Sequence, residues 1–255
     1  MNMRSEETQR DASRDDVISS GPTLEAVGIT MPPSFNKSAH DGVNHRLAQY
    51  SQTHKKQWQS FATAWNGIAY RTRTALDNDT NFTNSVSRSN SPLPEERFKQ
   101  EEALFSFFVC SVSALECFFY AAYCFASISK PTVFPISLPK DLKFYPKDVA
   151  AKYAVEFAGD GLTVEMANCL SSSEYVTMVD FRNVLTHRGT IPRNFYRGGD
   201  EDGTATMPSN PTEVSTKWEY NLVIDGITTR KYTTWFIGEL SSLLSAASQF
   251  CYAKL

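Results

Sequence analysis

The run from Ala103 to Ser129 is almost continuously apolar, and it limits the fold more than any other feature of the chain. A segment of this length either spans a bilayer or forms a helix enclosed by protein on all sides. Glu116 sits at its centre, and Ser106, Ser111 and Ser113 interrupt it. A carboxylate in mid-membrane costs roughly 2.5–3.5 kcal/mol on insertion scales. No cluster of Lys and Arg flanks the run to set an orientation, and no second such segment occurs. The run is therefore expected as the central helix of a bundle, with no membrane partner.

The rest of the chain supplies helices to surround it. Residues 1–40 are polar, mixed in charge and carry Pro22, Pro32 and Pro33, which predicts a mobile tail before a single helical domain over 41–255. Leu47, Tyr50, Trp58, Phe61, Trp65 and Ile68 place one apolar face on a helix over about 42–77. The Asn- and Ser-rich stretch from Asp77 to Ser91 reads as a loop, and the second helix runs over about 95–128 until Lys130-Pro131. Prolines 131, 135, 139 and 146 punctuate the next segment. Short helices follow over about 147–158, ending at Gly159-Asp160-Gly161, and over 162–170. Ser172 or Ser173 then caps a helix carrying Tyr175, Val176, Val179, Val184 and Leu185, which Gly189 and Pro192 end. A long loop over 190–216 leads to alternating Trp218, Tyr220, Leu222 and Ile224, then Asp225-Gly226 and a Thr-rich return, the best hairpin signal in the chain. The last helix is expected over about 231–252. The sum is an all-α fold: an antiparallel bundle of four to five helices with a long loop and a small β-hairpin inserted before the last helix, at about 190–230.

The formal net charge is −3, so no global basic field captures nucleic acid; any RNA contact must come from a local cluster. The N-terminus has no apolar leader and carries Glu6, Glu7, Asp11, Asp15 and Asp16, which predicts a cytoplasmic protein. Five cysteines, without a Cys-x-x-Cys, read as small buried hydrophobes in a reducing compartment. Cys110, Cys117 and Cys124 repeat at seven and share one helical stripe, a spacing unlike that of metal ligands. No metal site and no cofactor are expected.

The chemistry concentrates in Arg182-Asn183-Val184-Leu185-Thr186-His187-Arg188-Gly189. An arginine and a histidine stand near a helix end in a chain with only four histidines. Such a pair can hold a phosphate and move protons on it near neutral pH without a metal. Five residues at about 100° each separate Arg182 from His187 by about 140° on a regular helix, so loosening near Thr186 would be needed to bring them together. The structural alternatives are an arginine paired with a buried acid and a histidine that complements the helix dipole. His40, His45 and His54 fall in the tail or on a solvated face.

This string resembles the Arg-x4-6-His signature of the HEPN superfamily, in which the residue after the arginine is typically Asn, Asp or His, as Asn183 is here. Ser113-Ala114-Leu115-Glu116 resembles a Ser/Ala-x-x-Glu pattern in the preceding long helix of many bacterial members. The likeness covers about residues 42–252, and the 190–230 insertion departs from it. The resemblance implies a metal-independent endoribonuclease acting as a homodimer, with a composite site at the two-fold seam. It would cut single-stranded RNA to a 2′,3′-cyclic phosphate and a 5′-hydroxyl. His187 would be the general acid/base and Arg182 the phosphate ligand, with Asn183, Arg188 and Glu116 in support. Glu116, in an apolar helix, needs a partner, and Arg182 is the natural one. A toxin or antiphage effector, with an antitoxin or regulatory partner protein, is the implied setting. The alternative is a non-catalytic HEPN-fold module serving regulation or protein interaction.

Overall fold

The computed structural model describes residues 23–25, 28–88, 94–136, 144–187 and 226–255. Seven helices and no strand occur among the described residues. They are α1 (Lys37–Ala48), α2 (Lys55–Arg88), α3 (Pro94–Ser129), α4 (Pro146–Glu156), α5 (Gly161–Ser171), α6 (Ser173–His187) and α7 (Gly226–Lys254).

The expected architecture needs correction. The return arm of the hairpin, from Ile227 onward, is the first turn of α7, while residues 218–224 lie outside the described residues. Thr229, Tyr232, Phe236 and Leu240 are all buried, at spacings of three and four. That face is helical, and burying it outweighs the modest strand preference of threonine. Among the described residues the helix count rises from the expected four or five to seven. The pattern expected as one helix over 42–77 is two, parted by a turn at 49–54, and both short helices form.

Helix α2 also continues to Arg88, through the stretch expected as a loop. Its polar side chains bond along the helix: Arg73 Nε donates to Asp77 at 2.9 Å, Asn78 Nδ2 to the Thr74 carbonyl at 2.8 Å and Thr80 Oγ1 to the Leu76 carbonyl at 3.0 Å. Phe82, fully buried, anchors this end of the helix.

The helix starts follow local chemistry. The Asn36 carboxamide oxygen accepts from the Ala39 amide at 3.1 Å and caps α1, and the Asp160 carboxylate caps α5 from the Leu162 amide at 3.0 Å. Pro146 opens α4, where its missing N–H costs nothing. Gly159, at φ +77°, takes the left-handed turn between α4 and α5 that a side chain would resist.

The chain divides into two compact units. The first comprises residues 1–71, 113–172 and 237–255, the second 72–112 and 173–236. Helices α2, α3 and α7 contribute residues to both.

The first unit has an aromatic core. Phe250 of α7 lies 5.6 Å from Phe125, 5.7 Å from Tyr153 and 4.9 Å from Phe157, ring centre to ring centre. Phe61 stacks on Trp65 at 5.2 Å, and Trp65 meets Phe118 at 6.1 Å. Every residue from Ala121 to Ile128 is buried, which is why that half of α3 is apolar on all sides. Among the described residues α3 is the one helix long and apolar enough to cross a membrane, and more than half of its most apolar window is buried within the chain. Gly67 marks a close approach of α2 to α3, since a Cβ there would stand 3.2 Å from Cys117 Sγ.

The second unit is built on Phe107, Phe108, Phe181 and Tyr232. Phe108 lies 4.8 Å from Phe181 and 5.9 Å from Tyr232, joining α3, α6 and α7. Lys231 of α7 reaches Glu174 at the start of α6, at 3.5 Å.

Candidate functional site

Helix α6 carries the Arg/His string at its C-terminal end. Tyr175, Met178 and Phe181 are buried and fasten the helix into the second unit. Val184 and Leu185, two of the apolar residues expected on this helix, are only half-buried. The true anchor is Phe181, one residue before Arg182, wedged against Phe108 and Tyr232. Aromatic burial of this kind outweighs two aliphatic side chains near a helix end.

Helical geometry persists through the motif. The Thr186 hydroxyl donates to the Arg182 carbonyl at 2.7 Å and, more weakly, to that of Asn183 at 3.4 Å. The loosening that would swing His187 toward Arg182 does not occur. Arg182 is half-buried on the stripe shared with Tyr175 and Met178, whereas Asn183, Thr186 and His187 are exposed. Asn183 and His187 lie one turn apart on the same exposed face, with Val176 and Asp180 further along it. Arg188 and Gly189 lie outside the described residues.

Glu116 is half-buried on α3 in the first unit, next to Cys117, and Arg182 belongs to the second unit. Burial pushes the Cys117 thiol above its ordinary range and outweighs the opposing pull of the Arg71 guanidinium, so this cysteine is a poor nucleophile. The five cysteines are free: Cys124, Cys169 and Cys251 are buried, Cys110 and Cys117 half-buried. Among the described residues no three His, Cys, Asp or Glu side chains are gathered so as to hold a metal ion.

The second unit encloses a set of polar side chains. Thr72, Asp79, Gln100, Ser111 and Thr229 are all buried. Thr72 and Asp79 are seven residues apart and share one stripe of α2. Thr72 Oγ1, Asp79 Oδ1 and Ser111 Oγ are shut off from solvent and find no hydrogen-bond partner among the described residues. Sequence reading passed over these residues because polar side chains in a weakly patterned segment look solvated.

His40 was also misplaced by sequence reading. It is buried in the first unit and stacks on Trp65 at 5.1 Å. Its Nδ1 stands 3.3 Å from Asp41 Oδ1 and its Nε2 3.3 Å from the Trp65 carbonyl. The indole N–H of Trp65 returns a bond to the His40 carbonyl at 3.0 Å. This histidine cements a core and faces no cleft. Of the others, His45 is exposed, and His54 is half-exposed beside the Thr53 hydroxyl at 3.0 Å.

Compared with family models, curated proteins and solved structures, the chain matches none.

Proposed function

We propose that the chain is a metal-independent endoribonuclease of the HEPN type, cutting single-stranded RNA at a site completed by a second copy. One observation carries this reading. On a helix end anchored by Phe181, Arg182 is half-buried while Asn183 and His187 stand exposed on a common face. The arginine is held and the imidazole is offered to solvent, as phosphate binding and proton transfer respectively require.

The regularity of α6 bears on the assembly. With about 140° between them, Arg182 and His187 of one helix are poorly placed to close on one phosphate. A seam between two copies relieves that constraint, because the histidine of one chain can meet the arginine of the other. It also doubles the local positive charge on a chain whose net charge is −3.

In the proposed reaction His187 takes the proton of a ribose 2′-hydroxyl while the 2′-oxygen attacks the adjacent phosphorus. The P–O5′ bond breaks, and an imidazolium returns a proton to the leaving 5′-oxygen. The products are a 2′,3′-cyclic phosphate and a 5′-hydroxyl. Arg182 stabilises the pentacoordinate phosphorane, whose equatorial oxygens carry the developing charge. Asn183, one turn below His187, orients the ring or bonds the phosphate. Arg188 adds a second phosphate contact, and Glu116 has a supporting role. The cellular setting proposed is that of a toxin or antiphage effector in the cytoplasm, held by a partner protein.

The test is cleavage of labelled single-stranded RNA in EDTA, with product ends identified. Wild type is expected to leave cyclic phosphates. His187→Ala is expected to lose on the order of 10²–10⁴-fold in rate while keeping its helicity and oligomeric state. Arg182→Lys should be nearly as impaired as Arg182→Ala, because a lysine lacks the bidentate fork. An inert wild type, or variants that cut equally well, would sink the nuclease reading and leave a binding module.

A further inference from the structure

The N-terminal half of α3 has two faces of opposite character. Its inner face buries Leu104, Phe107 and Phe108 in the second unit. Its outer face carries Glu95, Phe98, Glu102, Phe105 and Val109, at spacings of three and four. On a regular helix these positions fall within about 80° of one another and extend over about 21 Å. Phe98 is 67% exposed and Phe105 40%, and Val109 is half-buried at the far end of the stripe. A single exposed apolar side chain is ordinary, but two phenylalanines seven residues apart on one stripe make the kind of seam against which a second helix packs. The stripe is also acidic. Glu102 is exposed between the two rings, and Glu95 is exposed one turn before Phe98. Lys99, on one flank, reaches Glu95 at 3.0 Å, and Glu96 and Glu102 act on the same ammonium. One cation is thus shared among three carboxylates. Arg97 falls on the other flank, about 100° from Phe98.

We infer that this face docks a basic amphipathic helix of another protein, about four turns long, with apolar residues at spacings of three and four. Those residues cover Phe98, Phe105 and the edge of Val109, and Lys or Arg side chains beside them meet Glu95 and Glu102. Charge selects this occupant over the others. An antiparallel pairing of two copies that sets Phe98 against Phe105 brings Glu102 of one chain against Glu101 of the other, and like charges opposed in a seam cost affinity. RNA and an anionic lipid surface are repelled by the same acids. The surface rests on α3 alone and holds whether or not the chain cuts RNA.

The experiment is fluorescence anisotropy of two labelled helical peptides titrated with the full chain. Both carry leucines at spacings of three and four; one flanks them with lysines, the other with glutamates. The lysine peptide should bind, and the glutamate peptide should bind at least about tenfold more weakly. Phe98→Ser should weaken the lysine peptide by about tenfold or more without moving the melting temperature, because the ring is exposed. Glu102→Lys should weaken the lysine peptide and strengthen the glutamate one. The inference is overturned by a wild type that binds neither peptide, by equal binding of the two, or by an unchanged affinity in Phe98→Ser. It is also overturned if sedimentation shows that Phe98→Ser dissociates a wild-type oligomer, which would assign the face to a second copy.

Discussion

The two units differ in how they satisfy their buried polar groups. In the first, several are bonded, although Arg46 Nε and Glu239 Oε1 find no partner among the described residues. His40 lies between Asp41 and the Trp65 carbonyl, Ser127 donates to the Cys124 carbonyl at 2.7 Å, and Thr163 donates to the Phe157 carbonyl at 2.9 Å. The Tyr153 hydroxyl, in the middle of the aromatic core, donates to the Ala122 carbonyl at 2.8 Å. In the second unit Thr72, Asp79 and Ser111 bury oxygen atoms for which no partner is found among the described residues. Native interiors carry few such groups, and each costs roughly 1–3 kcal/mol. The first unit reads as a scaffold optimised for packing. The second unit gives up stability at Thr72, Asp79 and Ser111.

The largest effect expected from that contrast concerns the two aromatic anchors. Phe250→Ala would remove the ring that touches Phe125, Tyr153 and Phe157, and should destabilise the chain by about 3–5 kcal/mol. Phe181→Ala empties a similar volume beside Phe108 and Tyr232. If the second unit is the looser of the two, its neighbours and solvent fill that space more readily. The cost should then sit toward the lower end of the same range, near 3 kcal/mol. Urea denaturation of both variants measures the difference, and equal losses would remove the distinction in packing.

The same contrast explains how much was legible in the sequence. Helix α3 was readable to within a residue at each end, because Pro94 and Pro131 punctuate it and its apolar run is long. The α4–α5 turn was readable from Gly159 and Asp160, each of which does one local job there. These are signals carried by a few neighbouring residues. The second half of α2 was not readable: its Asn, Asp and Thr residues have poor helix propensity, and only the burial of Asp79 and Phe82 shows why they are helical. The start of α7 was misread for the same reason, since Thr229 becomes a core residue only when Tyr232 and Phe236 are placed beside it. At the candidate site, the place of His187 near a helix end followed from the sequence, whereas its exposure and the anchoring by Phe181 did not. Burial of a polar residue is a tertiary fact, so the second unit hid its interior more completely than the first.

The bonded groups of the first unit also make its stability titratable. Burial pushes the Asp41 carboxyl up, but bonds from His40, Lys37 and the Leu24 amide overcome it and bring the group from 3.8 down to about 2. A carboxyl depressed on folding contributes stability above its ordinary value. That contribution is lost as the pH falls through about 2. It is worth on the order of 1–2 kcal/mol once solvent screening is allowed for. Asp41→Asn should therefore be less stable than wild type at pH 7 by that amount, and the two should converge near pH 2. A constant difference across that range would mean that Asp41 acts through packing rather than through its charge.

The smallest effect gives the sharpest comparison, because it predicts opposite signs for one substitution in the two units. Thr163→Val in the first unit deletes a hydroxyl bonded to the Phe157 carbonyl at 2.9 Å, which should cost about 1 kcal/mol. Thr72→Val in the second unit replaces a buried hydroxyl without a partner among the described residues by a methyl group of similar size. That exchange removes a desolvation penalty and adds apolar burial, so it should stabilise by about 0.5–1 kcal/mol. Both positions are helical and both side chains are β-branched, so backbone propensity cancels between them. Opposite shifts in the urea midpoint would show that the interior of the second unit is polar at a cost. If Thr72→Val also destabilises, the Thr72 hydroxyl has a partner such as an ordered water, and the two interiors are equally well satisfied.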